Sequence, residues 1–455
     1  MNTPSEDYHA LLARHDAMRL RRRILSPAGT EAEPWSAQPP RTYDGTADQR
    51  LIGDCLALVG PLDGLIAELY RALFDRHPYL RSLFPESMAF QQAHLAEIFR
   101  YLIGNLHRTD DMIDTFAQLG RDHRKLGVRP AHFEAFEAAL IEALRLRAGH
   151  RWSDELENAW LRMLRLAVSA MVRGADEAIA EPPSWDATVT SHELRSPDLA
   201  VLTVRPHQPY AFTAGQYASV ESPLLEQAWR PYYLARAPHP DGDLEFHVHA
   251  RGAGGVSDAL VHRTREGDTV RVGAPRGALA LPRHTPSAEV LLIASGTGWA
   301  AMKSLLQQVD AERSRAHRVR LLLDGGAGGG MYDSAYLEAF RRGRPWLTVL
   351  PTGPFTDQGL RTLCGGPARG RGEASGQHVF LALAPEVSSS DPTGAVAARL
   401  AAAGVPAACV HHDSSGVVMG TGAADGAAGY AVAGTIGETV TGMSPSTTRT
   451  GLLSA

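Results

Sequence analysis

The spacing of apolar and polar positions changes twice along the chain, and the two changes mark out three regimes. From Leu51 to about Ala180 every periodic segment repeats at helical spacing, with apolar residues three and four apart. Ile66, Tyr70 and Leu73 share one stripe, and Met88, Gln91, Leu95, Ile98 and Leu102 share another. Met112, Phe116, Leu119 and His123 fall at intervals of four, three and four, so this stripe carries three hydrocarbon side chains and an imidazole. Gly127 and Pro130 break the pattern, and it restarts with Phe133, Phe136, Leu140 and Leu144. A last helix, opened by Ser153, buries Trp160, Leu164, Ala167 and Met171. Glu181 to Asp186, reading EPPSWD, is the linker out of this regime.

Period-two runs follow at Ala187–Glu193, Leu199–Arg205, Tyr217–Val220, Leu244–Ala250 and Thr269–Val272, which predicts a small antiparallel barrel. From about Pro286 strands alternate with helices, at Val290–Ile293, Val319–Leu323, Trp346–Leu350, His378–Leu383 and Ala407–His411, the pattern of a parallel nucleotide-binding sheet. A length of 455 residues accommodates three such domains. The expected boundaries are 48–182 for the helical domain, 186–284 for the barrel and 285–413 for the α/β domain. Residues 1–47 are expected to form a helix over Asp7 to Ile24 and a Pro-rich linker. Residues 414–455, rich in Gly, Ala, Ser and Thr, are expected to be disordered.

A net charge of −5 gives no global basic field, which argues against nucleic acid or an anionic membrane as partner. No run approaches the roughly 18 apolar residues of a spanning helix, and the first residues lack the apolar core of a secretion signal. The three cysteines, Cys55, Cys364 and Cys409, are far apart, so a reducing cytoplasm is expected.

The candidate chemistry begins with His123. An imidazole on an apolar stripe either spends both nitrogens on hydrogen bonds or gives one to a metal, and among helices haem iron is the leading metal; alone, the satisfied core histidine is the commoner case. Tyr70 and Gln91 are two more polar groups on inward stripes, and a buried glutamine lacking a partner costs about 1–3 kcal/mol.

Together, Tyr70, Phe84, Gln91 and His123, with the segment LYRALFDRHPYLRSLF, resemble the haem pocket of the flavohaemoglobin family, and the thirty-two positions between Gln91 and His123 match its spacing. The resemblance implies haem b with His123 as iron ligand, Phe84 against the porphyrin and Leu95 as an apolar wall. It also implies Tyr70 and Gln91 as hydrogen-bond donors to bound O2, and Glu177 as the acid behind His123. Phe133 stands where the family has a tyrosine.

In the second regime AGQY (Ala214 to Tyr217), RPYYLA (Arg230 to Ala235), GAGGVSDAL (Gly252 to Leu260) and GAPRG (Gly273 to Gly277) are similar to the FAD domain of the ferredoxin-reductase family. That implies Arg230 and the backbone of Gly254, Gly255, Val256 and Ser257 at the flavin pyrophosphate, and Tyr232 against the isoalloxazine ring, with Tyr233 replacing a serine. In the third, ASGTGWAAMKSLL places the amides of Gly296, Thr297 and Gly298 to meet the phosphate of NAD(P)H. Trp299 and Ala301 replace an isoleucine and a proline, DGGAGGGMYD stands at an arginine site, Leu383-Ala384-Pro385 replaces Cys-Gly-Pro, and Ser415 replaces an aromatic residue.

The implied architecture is a multidomain chain of an all-α globin, an antiparallel β-barrel FAD domain and an α/β nucleotide-binding domain. The implied activity is oxidation of nitric oxide (NO) to nitrate with O2 and NAD(P)H. The first alternative is an oxygen- or NO-binding or sensor globin whose reductase module is non-functional or reduced from outside. The second is a flavoenzyme that reduces quinones or oxygen with the haem peripheral.

Overall fold

A computed structural model describes residue 43 and residues 45–85, 87–281, 289–312, 318–324, 331–350, 377–383 and 392–413. The expected helix at 7–24, the Pro-rich linker and the 414–455 tail lie outside those residues, as do Cys364, Ala384, Pro385 and Ser415.

The first regime folds into helices α1 (Gly45–Val59), α2 (Leu62–Arg76), α3 (Ala89–Asn105), α4 (Thr109–His123), α5 (Pro130–Ala148) and α6 (Asp154–Glu177). Their ends follow local chemistry. Asp110 and Asp111 sit in the first turn of α4, where carboxylates complement the helix dipole. Gly127, at φ +73°, takes the left-handed turn that stops the short segment after α4, and Pro130 at the first position of α5 starts the next helix. Ser153 accepts from the Leu156 amide at 3.2 Å and caps α6. The expected inner stripes form one core, with Leu65, Ile66, Leu69, Phe99, Phe116 and Trp160 all fully buried.

One crossing within that core is unusually close. A Cβ on Gly120 of α4 would lie 1.9 Å from the Met171 carbonyl oxygen of α6, and a Cβ on Gly174 of α6 would lie 1.9 Å from the Ala117 carbonyl oxygen. The two backbones therefore touch through a reciprocal pair of glycines, and this touch fixes the direction in which α4 delivers His123.

The barrel is a six-stranded antiparallel sheet in the order β4-β3-β6-β1-β2-β5, from β1 (Trp185–Ser196), β2 (Leu199–Pro206), β3 (Tyr217–Glu221), β4 (Trp229–Tyr233), β5 (Leu244–His249) and β6 (Thr269–Val272). β1 begins earlier than the sequence suggests, because Trp185, expected in the linker, is buried against Tyr210 and donates to the Pro209 carbonyl at 3.0 Å. The α/β unit has a parallel sheet in the order β11-β10-β7-β8-β9. Its elements are β7 (Glu289–Ser295), α7 (Trp299–Ala311), β8 (Arg318–Asp324), α8 (Ser334–Arg341), β9 (Leu347–Leu350), β10 (Gln377–Leu383), α9 (Pro392–Ala402) and β11 (Val410–His412). The strand expected at Ala407–His411 is instead a helical turn over Ala407–Cys409 leading into β11, whose pairing with β10 starts at Val410. Among the described residues no helix is long and apolar enough to cross a membrane.

The glycine crossing bears directly on stability. Gly120→Ala forces two backbones apart and is expected to destabilise the helical domain by about 1–3 kcal/mol, read as a lower denaturant midpoint with an unchanged slope.

Candidate functional site

The helical domain lines a cavity of about 210 Å³, far beyond the roughly 10–15 Å³ that one water requires. Its lining is mainly hydrocarbon, with Tyr70, Gln91, His94, His123, His132 and Gln227 as polar groups. Tyr70 arrives from α2 and is held edge-on to Phe84 (ring centroids 5.5 Å apart) and stacked on Phe74 (5.8 Å). Arg81 fixes the turn that carries Phe84 by donating to the carbonyls of Phe84 and Pro85 at 3.2 and 2.7 Å. Burial raises the Tyr70 phenol above its ordinary range, so it stays a donor. Gln91, Leu95, Ile98 and Leu102 line the cavity from α3, as their spacing required.

His123 enters from the last turn of α4, with its Nδ1 2.9 Å from the Leu119 carbonyl oxygen. With Nδ1 engaged in this way, Nε2 is the nitrogen that the ring presents to the cavity. Burial lowers the pKa of His123, favouring the neutral form that ligates metals. Glu177 does not meet His123. It pairs with Arg121 at 2.6 Å and Arg173 at 3.6 Å on the exposed side of α6, where two guanidinium groups hold the carboxylate in water. Phe133 lines the cavity with its bare ring.

His94 joins the site without having been a candidate from the sequence. It lies three residues after Gln91 and four before Ile98, so the same helical periodicity places it on the cavity wall. Burial, with a smaller contribution from the nearby His123, lowers its pKa to about 4. The signal for it is present in the chain, since 91, 94 and 98 form as good a stripe as 91, 95 and 98.

The barrel docks on the helical domain beside His123. Arg276 donates to Asp122 Oδ1 through Nε (3.0 Å) and Nη2 (2.9 Å). Lys125 and Arg271 lie on the fully buried Trp229 ring, each 5.0 Å from its centroid, and Arg271 also reaches Glu221 at 2.6 Å and the Lys125 carbonyl at 3.3 Å. Gln227, between β3 and β4, is held at φ +61° with its amide donating to Glu221 Oε1 at 2.6 Å, and its side chain completes the wall of the cavity. A non-glycine residue in that conformation is strained.

On the barrel, Arg230 and Tyr232 sit on β4, and the Tyr232 hydroxyl is buried with no hydrogen-bond partner among the described residues. A buried hydroxyl left so is costly, and a ligand that accepts from it removes the penalty. Gly254, at φ +79°, and Gly255 have open space where a Cβ would stand; Val256 begins a short helical segment, and Ser257 accepts from the Arg251 amide at 3.1 Å. The Gly254 amide donates to Asp258 at 3.0 Å, which ties the loop down. Tyr233 packs edge-on against Tyr217 (6.2 Å) and faces Asp413, whose carboxylate accepts from the Ala278 amide at 2.7 Å. Burial raises the Asp413 pKa to about 6.

At the third candidate site the Gly296–Gly298 turn does link β7 to α7, but a Cβ on Gly298 would lie 1.9 Å from the Ala382 carbonyl oxygen. This glycine therefore serves helix-on-strand packing. Behind it Trp299 and Lys303 donate to Asp333 at 2.9 and 3.1 Å, Lys303 also reaches Glu245 at 2.8 Å, and His247 joins Glu245 (2.8 Å) to Tyr332 (2.7 Å). The network bridges the barrel and the α/β unit and has no periodic signature in the sequence.

Residues 67–171 match the Globin family and residues 186–281 match the Oxidoreductase FAD-binding domain family. The chain is thus a globin fused to an FAD-binding reductase module, which implies haem and FAD as its cofactors. This is the flavohaemoglobin architecture.

A flavohemoprotein of Bacillus subtilis (strain 168) is 23% identical over 261 residues, covering 53% of this chain and 64% of that protein, and one of Chromobacterium violaceum is 24% identical, covering 54% and 66%. The ferredoxin–NAD(P)+ reductase component of a Pseudomonas putida naphthalene 1,2-dioxygenase system is 30% identical over 187 residues, covering 40% and 56%. The chain thus spans just under two thirds, or less, of the length of these relatives. A crystal structure of a Malassezia yamatoensis flavohemoglobin with bound FAD and heme superposes with a TM-score of 0.64 at 15% identity, covering 81% of this chain and 98% of that one, and supports the fold.

The barrel residues can be tested one at a time. On the proposal that the Tyr232 hydroxyl meets the flavin, Tyr232→Phe weakens flavin affinity by about 1 kcal/mol, roughly fivefold, in a fluorescence titration, while the flavin-free protein melts no lower than wild type because an unsatisfied group has been removed. The folded-state pKa of Asp413 lies above its ordinary value of about 3.9, so its protonated form favours folding, and that contribution is lost as pH rises from about 4 to about 6. Asp413→Asn is expected to flatten the pH dependence of the unfolding midpoint across that window.

Proposed function

We propose that the protein is a haem- and FAD-dependent nitric oxide dioxygenase, oxidising NO to nitrate with O2 and NAD(P)H. The observation that carries this reading is the meeting of Tyr70, Gln91 and His123 around one apolar cavity whose wall is completed by Gln227 of the flavin barrel. Haem, when bound, supplies the iron that carries oxygen, and FAD relays to it the electrons of NAD(P)H.

The chain's own residues have separable roles in this reading. His123 offers Nε2 to the iron, its ring orientation set by the Leu119 carbonyl. Tyr70, kept protonated by burial, and the Gln91 carboxamide are the proposed donors to a ligand that gains negative charge, and both line a cavity whose wall is mainly hydrocarbon. The Asp122–Arg276 pair and the cation-flanked Trp229 hold the flavin barrel against the segment that bears His123, which keeps the electron path short. The reducing cytoplasm is its proposed compartment, in keeping with the free thiols of Cys55 and Cys409.

A second reading, a gas-binding or sensor globin whose reductase module is silent or reduced from outside, is favoured by two observations. Glu177 is committed to Arg121 and Arg173, and Gly298 is committed to packing against Ala382.

NO added under air to the reduced protein is expected to give nitrate with consumption of NADH, and Tyr70→Phe is expected to slow that turnover by roughly 10²-fold. If an anaerobic titration with NADH leaves the flavin absorption unbleached, the sensor reading replaces the enzyme.

A further inference from the structure

The cavity holds more imidazole than one iron ligand requires. His123 stands on α4 and His94 on α3, both facing the same apolar space, and they are close enough for the charge of one to bear on the other. Gln91, one turn before His94, and Ile98, one turn after it, line the same wall, so His94 belongs to the cavity stripe of α3.

We propose that His94 is a second axial ligand, binding haem iron on the face opposite His123, so that the resting protein carries six-coordinate iron and a gas must displace His94 to bind. The proposal rests on the reading that this cavity takes haem.

The chemistry of the other polar groups points to His94. Among the side chains of this cavity neutral imidazole is the best match for iron, whereas the Tyr70 phenol is held protonated by its apolar surroundings and the Gln91 carboxamide is a weak donor atom for the metal; the third imidazole, His132, is tied to the first turn of α5 by its Nδ1, which accepts from the Arg129 amide at 3.2 Å. The proximal side adds a reason. His123 has a backbone carbonyl on Nδ1, Glu177 is turned away to two arginines, and Phe133 contributes no hydroxyl, so His123 would push less electron density onto the iron, which favours ligation by a second neutral base. Ligation needs no redox partner: a lone pair of His94 is donated to iron and is withdrawn when a diatomic ligand takes its place. The consequence is a gate on ligand entry, because apparent affinity falls in proportion to the fraction of time the site is open.

The test uses the full-length haem-loaded protein. The ferric form is expected to be low-spin by electron paramagnetic resonance, and the ferrous form to bind carbon monoxide after flash photolysis at a rate that levels off as its concentration rises. His94→Leu is expected to give high-spin ferric iron and carbon monoxide binding about tenfold faster, the change expected if the wild-type site is open about one tenth of the time. His94→Met is expected to stay low-spin while its near-infrared charge-transfer band moves to that of a histidine–methionine pair, an outcome that a merely structural role for His94 does not produce. Five-coordinate wild-type iron, or a low-spin signal that survives in His94→Leu, overturns the proposal while leaving the haem reading intact. Colourless protein from haem-replete cells overturns the haem reading and the ligation together.

Discussion

The helical domain depends on the touch of two backbones, α4 on α6, at Gly120 and Gly174. No side chain separates the helices there, so each helix rests on a carbonyl of the other and their crossing has little freedom to drift. The consequence reaches one turn further along α4, where His123 leaves the helix toward the cavity with its Nδ1 on the Leu119 carbonyl. A histidine on a loosely packed helix would sample several orientations, whereas here packing and one hydrogen bond together select which nitrogen faces the cavity.

That same end of α4 is where the second domain attaches. Asp122 and Lys125 flank His123 in sequence, and they are the residues that meet Arg276 and Trp229 of the barrel. The proposed iron ligand and the docking surface are therefore built on one segment, and the strained backbone at Gln227 brings a barrel side chain into the wall of the helical cavity. Burial at this joint lowers the Lys125 pKa to about 8, a further sign that its stem and head are committed to the interface.

Much of this is legible in the sequence because helical and strand periods report burial directly. Spacing places Met112, Phe116 and Leu119 inward, and all three are buried. Trp185 escapes that logic because Pro182 and Pro183 suggest a longer linker, and the indole's partner, the Pro209 carbonyl, is remote in sequence. Glu177 escapes it for a similar reason: a resemblance fixes a residue type at a position but not the arginines, Arg121 and Arg173, that compete for its charge. His94 is legible but easily overlooked, since Leu95 fits an apolar stripe better than an imidazole does. The buried network of Trp299, Lys303, Asp333, Glu245 and His247 leaves no periodic trace, because it is assembled from three separate segments by charge.

If one imidazole, His123, grips haem iron inside this cavity beside a flavin-bearing barrel, the protein is coloured and its colour depends on that residue. This is read most directly from the absorption spectrum of protein purified from haem-replete cells, compared with His123→Ala prepared in parallel. The expected result is a Soret band with a flavin shoulder in the wild type, and a lost or strongly altered Soret band with the flavin shoulder retained in the variant. A colourless wild type, or a Soret band that His123→Ala leaves unchanged, contradicts it.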